Sequence, residues 1–139
     1  MVLEPVTPRN YEAVLRVAVT PDQRRFVAPV VRSLADAYVW GGPALAAREG
    51  EEVVGFVLLL PFEHEGRPVV NLVRFMVDAA RQGQGFGRAL MTATLDYAAT
   101  LEPRPSAMKL SVVPDNAVAI GLYESVGFVG EGIEDGERV

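Results

Sequence analysis

Val73-Arg74-Phe75-Met76-Val77-Asp78-Ala79-Ala80-Arg81-Gln82-Gly83-Gln84-Gly85-Phe86-Gly87-Arg88 is the stretch on which the reading of the fold turns. An apolar run of strand character ends at Val77 and a turn with alternating glycines follows. The period then changes: Phe86, Leu90, Ala93, Thr94, Tyr97 and Ala98 recur three or four apart, which predicts an amphipathic helix from Gly85 to about Thr100. Glycines at such a junction let the backbone approach a ligand closely. The first N–H groups of the helix lack intrahelical acceptors, and its dipole adds about half a positive charge there. The junction is an anion cradle, and phosphate is the anion it suits. A dinucleotide fingerprint counted from Gly83 would need a small residue where Arg88 stands, and the phosphate loop of nucleotide hydrolases would need Gly-Lys-Ser/Thr, so neither fits.

Working outward toward the amino end, Val69 to Val77 forms an apolar run preceded by the turn Glu63-His64-Glu65-Gly66-Arg67-Pro68. Ala44 to Arg48 and Val53 to Leu60 are joined by Glu49-Gly50-Glu51-Glu52, the pattern of an antiparallel hairpin, so three consecutive strands make a meander. Before them, Val2 to Val6 is a short strand, and Asn10 is placed to cap a helix through Arg16. A second helical stretch starts at Pro21-Asp22, with Phe26, Val30, Leu34 and Ala37 or Tyr38 on one side, Pro29 as a kink and Gly41-Gly42-Pro43 as its end. Toward the carboxyl end, Met108 to Val113 is a strand. Asn116 caps a helix from Ala117 to Val126, Gly127 closes it, and Phe128-Val129 begins a last strand. Strands in the first half and strand–helix alternation in the second predict an α/β (α+β) fold, a mixed central sheet with helices on both faces.

The 139 residues fit one domain, 1–139. With 50% hydrophobic and 22% charged residues, the composition is that of a globular chain. The absence of cysteine excludes a disulfide framework, a thiol nucleophile and a zinc–thiolate site, and is consistent with the cytoplasm. One histidine, His64, argues against a histidine-based metal site. A formal charge of −5 disfavours nucleic acid and anionic membrane surfaces and favours a cationic small molecule. No apolar run approaches the ~20 residues of a membrane span, and the start of the chain has no leader pattern.

Gln82-Gly83-Gln84-Gly85-Phe86-Gly87 resembles the Q/R-x-x-G-x-G/A signature of the GNAT superfamily of N-acetyltransferases. Asn116 followed by the helix bearing Leu122-Tyr123-Glu124-Ser125-Val126-Gly127-Phe128 resembles the second signature of that superfamily, and the order of strands and helices is similar over nearly the whole chain. The resemblance implies acetyl-CoA as cosubstrate, a primary amine as acceptor and no metal. It implies that Gln82, Gly83, Gln84, Gly85, Phe86, Gly87 and Arg88 hold the pyrophosphate. The backbone of Phe75, Met76 and Val77 would meet the pantetheine arm, Asn116 would contact CoA as well as capping its helix, and Tyr123 would assist the departing thiolate.

A general base is less legible. The strand before the glycines offers Asn71, Arg74 and, at its end, Asp78. The candidates are Asp36, Glu63, Glu65, His64, or a water held by backbone carbonyls. The segment Gln23 to Ala37 and Gly132-Ile133-Glu134-Asp135-Gly136-Glu137 resemble the bacterial diamine and polyamine acetyltransferases, which implies acceptor selection by the early helices and the last hairpin, and the acidic residues Glu131, Glu134, Asp135 and Glu137 suit a cationic amine. Only Glu137-Arg138-Val139 follows the Asp135-Gly136 turn, too little for a full closing strand, which predicts a homodimer that shields the open edge. A domain that binds acetyl-CoA without transferring its acetyl group, as a sensor or interaction module, would keep the glycine turn without needing Tyr123.

Overall fold

The computed structural model describes residues 1–18, 29–111 and 116–130, and the backbone of 133–134 and 137–138. Strand β1 (Val2–Pro5) leads to a single helical turn and a half, α1 (Tyr11–Leu15), and then to helix α2 (Val30–Trp40). The meander follows as β2 (Ala44–Glu49), β3 (Glu52–His64) and β4 (Arg67–Val77). Helix α3 (Phe86–Ala98), strand β5 (Ala107–Leu110) and helix α4 (Ala117–Ser125) complete the main body. A two-stranded ladder of β6 (Ile133–Glu134) and β7 (Glu137–Arg138) comes last.

The strands β1 to β5 lie side by side in chain order, antiparallel except for the parallel β4–β5 pair that α3 connects. One face of the sheet buries Leu45, Val57, Leu59, Val70 and Leu72 against Leu90 and Met91 of α3, with Tyr123 of α4 and Val126 just after it at its margin. The other buries Ala46, Phe56, Leu58 and Met76 against Val14 of α1 and Val30 and Ala37 of α2. This is the mixed sheet with helices on both faces that the pattern predicts.

Local differences from the sequence reading have physical causes. The β3–β4 turn is tighter than the run from Glu63 to Pro68 suggests. Glu65 and Gly66 both take positive φ, 53° and 78°, so the strands pair out to His64–Arg67. Asn10 stands at the start of α1 but does not cap it. Its Oδ1 accepts from the Thr7 N–H at 2.8 Å and its Nδ2 donates to the Pro5 carbonyl, so it locks the turn before the helix instead. Helix α2 starts directly after Pro29, whose φ of −57° suits the position. The expected helical start at Pro21-Asp22 lies outside the described residues, as do the last residues of the strand expected through Val113.

No strand forms at Phe128-Val129. The Phe128 N–H donates to the Tyr123 carbonyl (3.0 Å) and the Gly127 N–H to the Glu124 carbonyl (3.1 Å), with Gly127 at φ 106°. This is a Schellman closure of α4, with Phe128 folded back so that its ring meets that of Tyr123. The N–H that a ladder would use is already spent on the helix. Gly127→Ala forces a Cβ into that left-handed position and is expected to destabilise the domain by about 1–2 kcal/mol while loosening the hold on Tyr123. Thermal unfolding of the variant checks the first effect, and turnover the second.

Candidate active site

The site starts from an irregularity in β4. Leu58 of β3 pairs with Arg74 and Leu59 with Leu72, so Val73 is one residue too many on its strand. Such a bulge shifts which face each later residue serves. Ahead of it Val70 and Leu72 point to the α3 face. After it Arg74 and Met76 lie on the α1/α2 face, while Phe75 and Val77 take the α3/α4 face.

Backbone groups follow the same count. The Asp78 N–H donates to the Val54 carbonyl at 2.7 Å, which fixes the hydrogen-bonded pairs as Asp78–Val54, then Met76–Phe56. Phe75 and Val77 therefore turn their N–H and C=O groups away from β3. On that side the described pairs of β5 with β4 run as far as Leu72–Leu110, and no described strand pairs with Phe75 or Val77. Of the three residues expected to present backbone groups there, Met76 turns its own toward β3 and buries its side chain.

This edge of β4 runs straight into the glycine turn. A turn of 3₁₀ helix over Ala79–Arg81 carries the chain across, and Gln82 folds back so that its Nε2 donates to the Val77 carbonyl at 3.1 Å. Gly83 (φ 81°) and Gly85 (φ 78°) hold left-handed conformations that side chains resist, and Gly85 is the residue from which α3 starts. The backbone N–H groups from Gly83 through Gln84, Gly85, Phe86, Gly87 and Arg88 have no acceptor among the described residues. Gly87 differs from its neighbours: its φ is ordinary and, among the described residues, an added Cβ would touch only Leu122 Cδ2, at 3.5 Å. Arg88 reaches across to α4, where its Nη2 donates to Ser125 Oγ at 3.1 Å.

Helix α4 forms the other margin. Asn116 caps it as expected, its Oδ1 accepting from the Ala119 N–H at 3.3 Å. Tyr123 stands between Phe75 and Phe128, edge to face with both, at ring-centroid distances of 6.1 and 5.9 Å. Burial pushes its phenol up to about 12. The fold thus packs Phe75, Val77 and Tyr123 on one face of the sheet, and Arg88 ties the glycine turn to the helix that bears Tyr123.

The candidate bases do not gather there. Glu63, His64 and Glu65 sit at the far end of the β3–β4 hairpin, roughly 25 Å of strand from Phe75. Asp78 accepts from the Ala18 N–H at 3.1 Å and ties the turn to the chain after α1. Asp36 of α2 is engaged by two guanidinium groups: Arg32 at 3.7 Å and Arg74 at 3.6 Å. The Arg74–Asp36 contact and the bulge that makes it were not read from the sequence, although Asn71 and Arg74, three apart in an apolar run, break strict alternation and signal both. Among the described residues no group of three or more His, Asp or Glu side chains could hold a metal ion.

The family model for the acetyltransferase (GNAT) family matches residues 12–128. The chain belongs to that family. It is 32% identical to the spermine/spermidine N(1)-acetyltransferase of Bacillus subtilis over 99% of this chain and 94% of that one. It is 37% identical to the N-alpha-acetyltransferase RimI of Mycobacterium tuberculosis, over 60% of this chain and half the length of that protein. Among solved structures, the ribosomal-protein-alanine N-acetyltransferase of Brucella melitensis superposes with a TM-score of 0.70 over 95% of this GNAT domain and 86% of that chain, at 24% identity. No helix among the described residues of the domain is long and apolar enough to cross a membrane.

Proposed function

We propose that this GNAT domain is an acetyl-CoA-dependent N-acetyltransferase acting on a primary amine. The observation that carries the proposal is continuity: an edge of β4 with no described strand beside it at Phe75 and Val77 runs directly into a cluster of N–H groups, at a helix start, that have no acceptor among the described residues. An extended amide-bearing arm suits the first and a pyrophosphate suits the second. In this reading the pyrophosphate lies on Gly83 to Arg88, with Gln82 bracing the turn, and the arm pairs with the backbone of Phe75 and Val77. The thioester then lies beside Tyr123, with Asn116 at the head of the same helix.

The neutral nitrogen attacks the thioester carbonyl carbon, the C–N bond forms, the C–S bond breaks and its electron pair leaves on sulfur. The ammonium proton passes to water. The Tyr123 hydroxyl donates a hydrogen bond to the departing sulfur as charge develops.

The polyamine acceptor draws support from the Bacillus relative, which aligns along the whole chain, whereas RimI is named for acetylation of α-amines. The outer edge of β5 has no described strand beside it, which supports a second subunit covering that edge. We place the domain in the cytoplasm, where acetyl-CoA and such amines meet.

The test is release of CoA thiol from acetyl-CoA with a panel of amines. The expected result is amine-dependent release that rises about tenfold per pH unit below the pKa of the amine when amine is subsaturating, because only its neutral form attacks. Tight binding of acetyl-CoA without release for any amine would identify a sensor instead.

A further inference from the structure

We infer that Ser125 is a positioning residue for acetyl transfer: its hydrogen bond with Arg88 sets the rotation of α4 and so aims the Tyr123 hydroxyl from the turn that holds acetyl-CoA. The inference rests on the acetyl-transfer reading, in which Tyr123 meets the leaving sulfur and Arg88 stands at the pyrophosphate, and adds the residue that joins the two.

Helix α4 carries Tyr123 but is held lightly by the rest of the domain. None of its residues is fully buried. Tyr123, Val126 and Phe128 pack against the core, but apolar contact is non-directional and leaves the rotation of the helix unset. Of the two rings edge to face with Tyr123, only Phe75 belongs to the sheet. Phe128 is bound to the end of α4 through the Tyr123 carbonyl and travels with it. Among the described residues one side-chain hydrogen bond joins α4 to another element, the one from Arg88 Nη2 to Ser125 Oγ at 3.1 Å.

That bond continues into the backbone beside Tyr123. A serine hydroxyl has one proton, and Ser125 gives it to the Leu122 carbonyl at 2.7 Å. Its oxygen is left to accept, and the guanidinium is a charge-assisted donor to it. The chain from Arg88 through Ser125 thus ends on the peptide plane that the Leu122 carbonyl shares with the Tyr123 N–H. Leu122 and Ser125, three apart, lie on one face of α4, and that face meets the first turn of α3, where Leu122 Cδ2 stands 3.5 Å from the position of a Gly87 Cβ. The same turn bears the N–H groups that have no described acceptor. A pyrophosphate seated there restrains Arg88 from one side while Ser125 holds it from the other, so occupancy of the turn and the aim of Tyr123 are set by one residue.

The test is a double-mutant cycle on single-turnover rates at saturating acetyl-CoA, with the amine that the wild-type domain acetylates fastest. Ser125→Ala is expected to lower the rate about tenfold, the scale of a misaimed donor rather than a missing one, while acetyl-CoA affinity measured by calorimetry stays within a few-fold of wild type. Ser125 is exposed and alanine is the better helix former, so the substitution does not threaten folding. In a Tyr123→Phe background, where no hydroxyl remains to aim, Ser125→Ala is expected to change the rate by less than about twofold. Ser125→Thr restores a hydroxyl that can bond the same carbonyl and is expected to recover most of the loss. A loss of equal size in both backgrounds makes the effect a structural one and overturns the inference. So does an undiminished rate for Ser125→Ala or for Tyr123→Phe alone, or a Ser125→Thr variant no faster than Ser125→Ala, and in each of these cases acetyl transfer stands. Failure to acetylate any amine overturns both.

Discussion

Tyr123→Phe is expected to lower turnover by about 10²-fold, the usual size for loss of a positioned donor, while acetyl-CoA binds as before. Phenylalanine keeps the edge-to-face contacts with Phe75 and Phe128, so the measurement isolates the hydroxyl. With its phenol pushed up to about 12 by burial, Tyr123 cannot hand its proton outright to a thiolate whose conjugate acid lies near ~8.5 in water. The difference corresponds to about 5 kcal/mol. A sulfur leaving in the same apolar surroundings is a stronger base than in water, which narrows the gap, and a hydrogen bond that strengthens as charge builds needs no completed transfer. The raised value also fixes the sign of the pH response. The hydroxyl stays protonated throughout the range in which amines lose their protons, so the profile should climb to a plateau without a falling limb below about pH 10. Single-turnover rates across pH for both proteins check this. Undiminished turnover in the variant would leave Tyr123 a packing residue.

Gly87→Val is expected to weaken acetyl-CoA binding by on the order of 10²-fold, the loss of one or two charge-assisted hydrogen bonds. The position separates ligand approach from fold more cleanly than Gly83 or Gly85, where positive φ makes any side chain strained. At Gly87 the conformation is ordinary and, among the described residues, the only neighbour of an added Cβ is a flexible leucine methyl. Gly87→Ala is the control. The family signature allows either residue there, so alanine should bind within a few-fold of wild type, while helix propensity favours it by about 1 kcal/mol. Calorimetric titration with acetyl-CoA, beside thermal unfolding of each variant, checks the pair. Equal affinity in all three proteins would remove the pyrophosphate from this turn.

Much of the architecture was legible because it is written in local terms. The meander follows from apolar runs separated by Gly50 and Gly66, and α3 from its three-and-four spacing. Asn116 and Gly127 mark the ends of α4. Position along the chain could not tell which end of the β3–β4 hairpin adjoins the glycine turn, so Glu63, His64 and Glu65 entered as candidate bases although their strands carry them to the opposite end. Asn10 and Phe128 show a second limit. Each has a familiar local role, helix cap and strand start, but a competing partner claims the same atoms: the Thr7 amide for Asn10 and the Tyr123 carbonyl for Phe128. The pairing of Arg74 with Asp36 joins two elements far apart in sequence, and only the sheet brings them together.

The surplus residue at Val73 also governs where the length of this chain can vary. Side chains alternate along a strand, so deleting Val73 would restore regular pairing with β3 and leave Leu72, Phe75 and Val77 on the α3 face, with Arg74 still opposite Leu58. A further residue inserted there would have to widen the bulge or slide the later half of β4 along β3. Insertions are absorbed instead at the hairpin tips, Gly50-Glu51 and Glu65-Gly66, where the chain reverses in solvent and no later strand inherits the change in count. Sequences descended from this one can therefore drift in the length of their turns and can lose the bulge without turning β4 over.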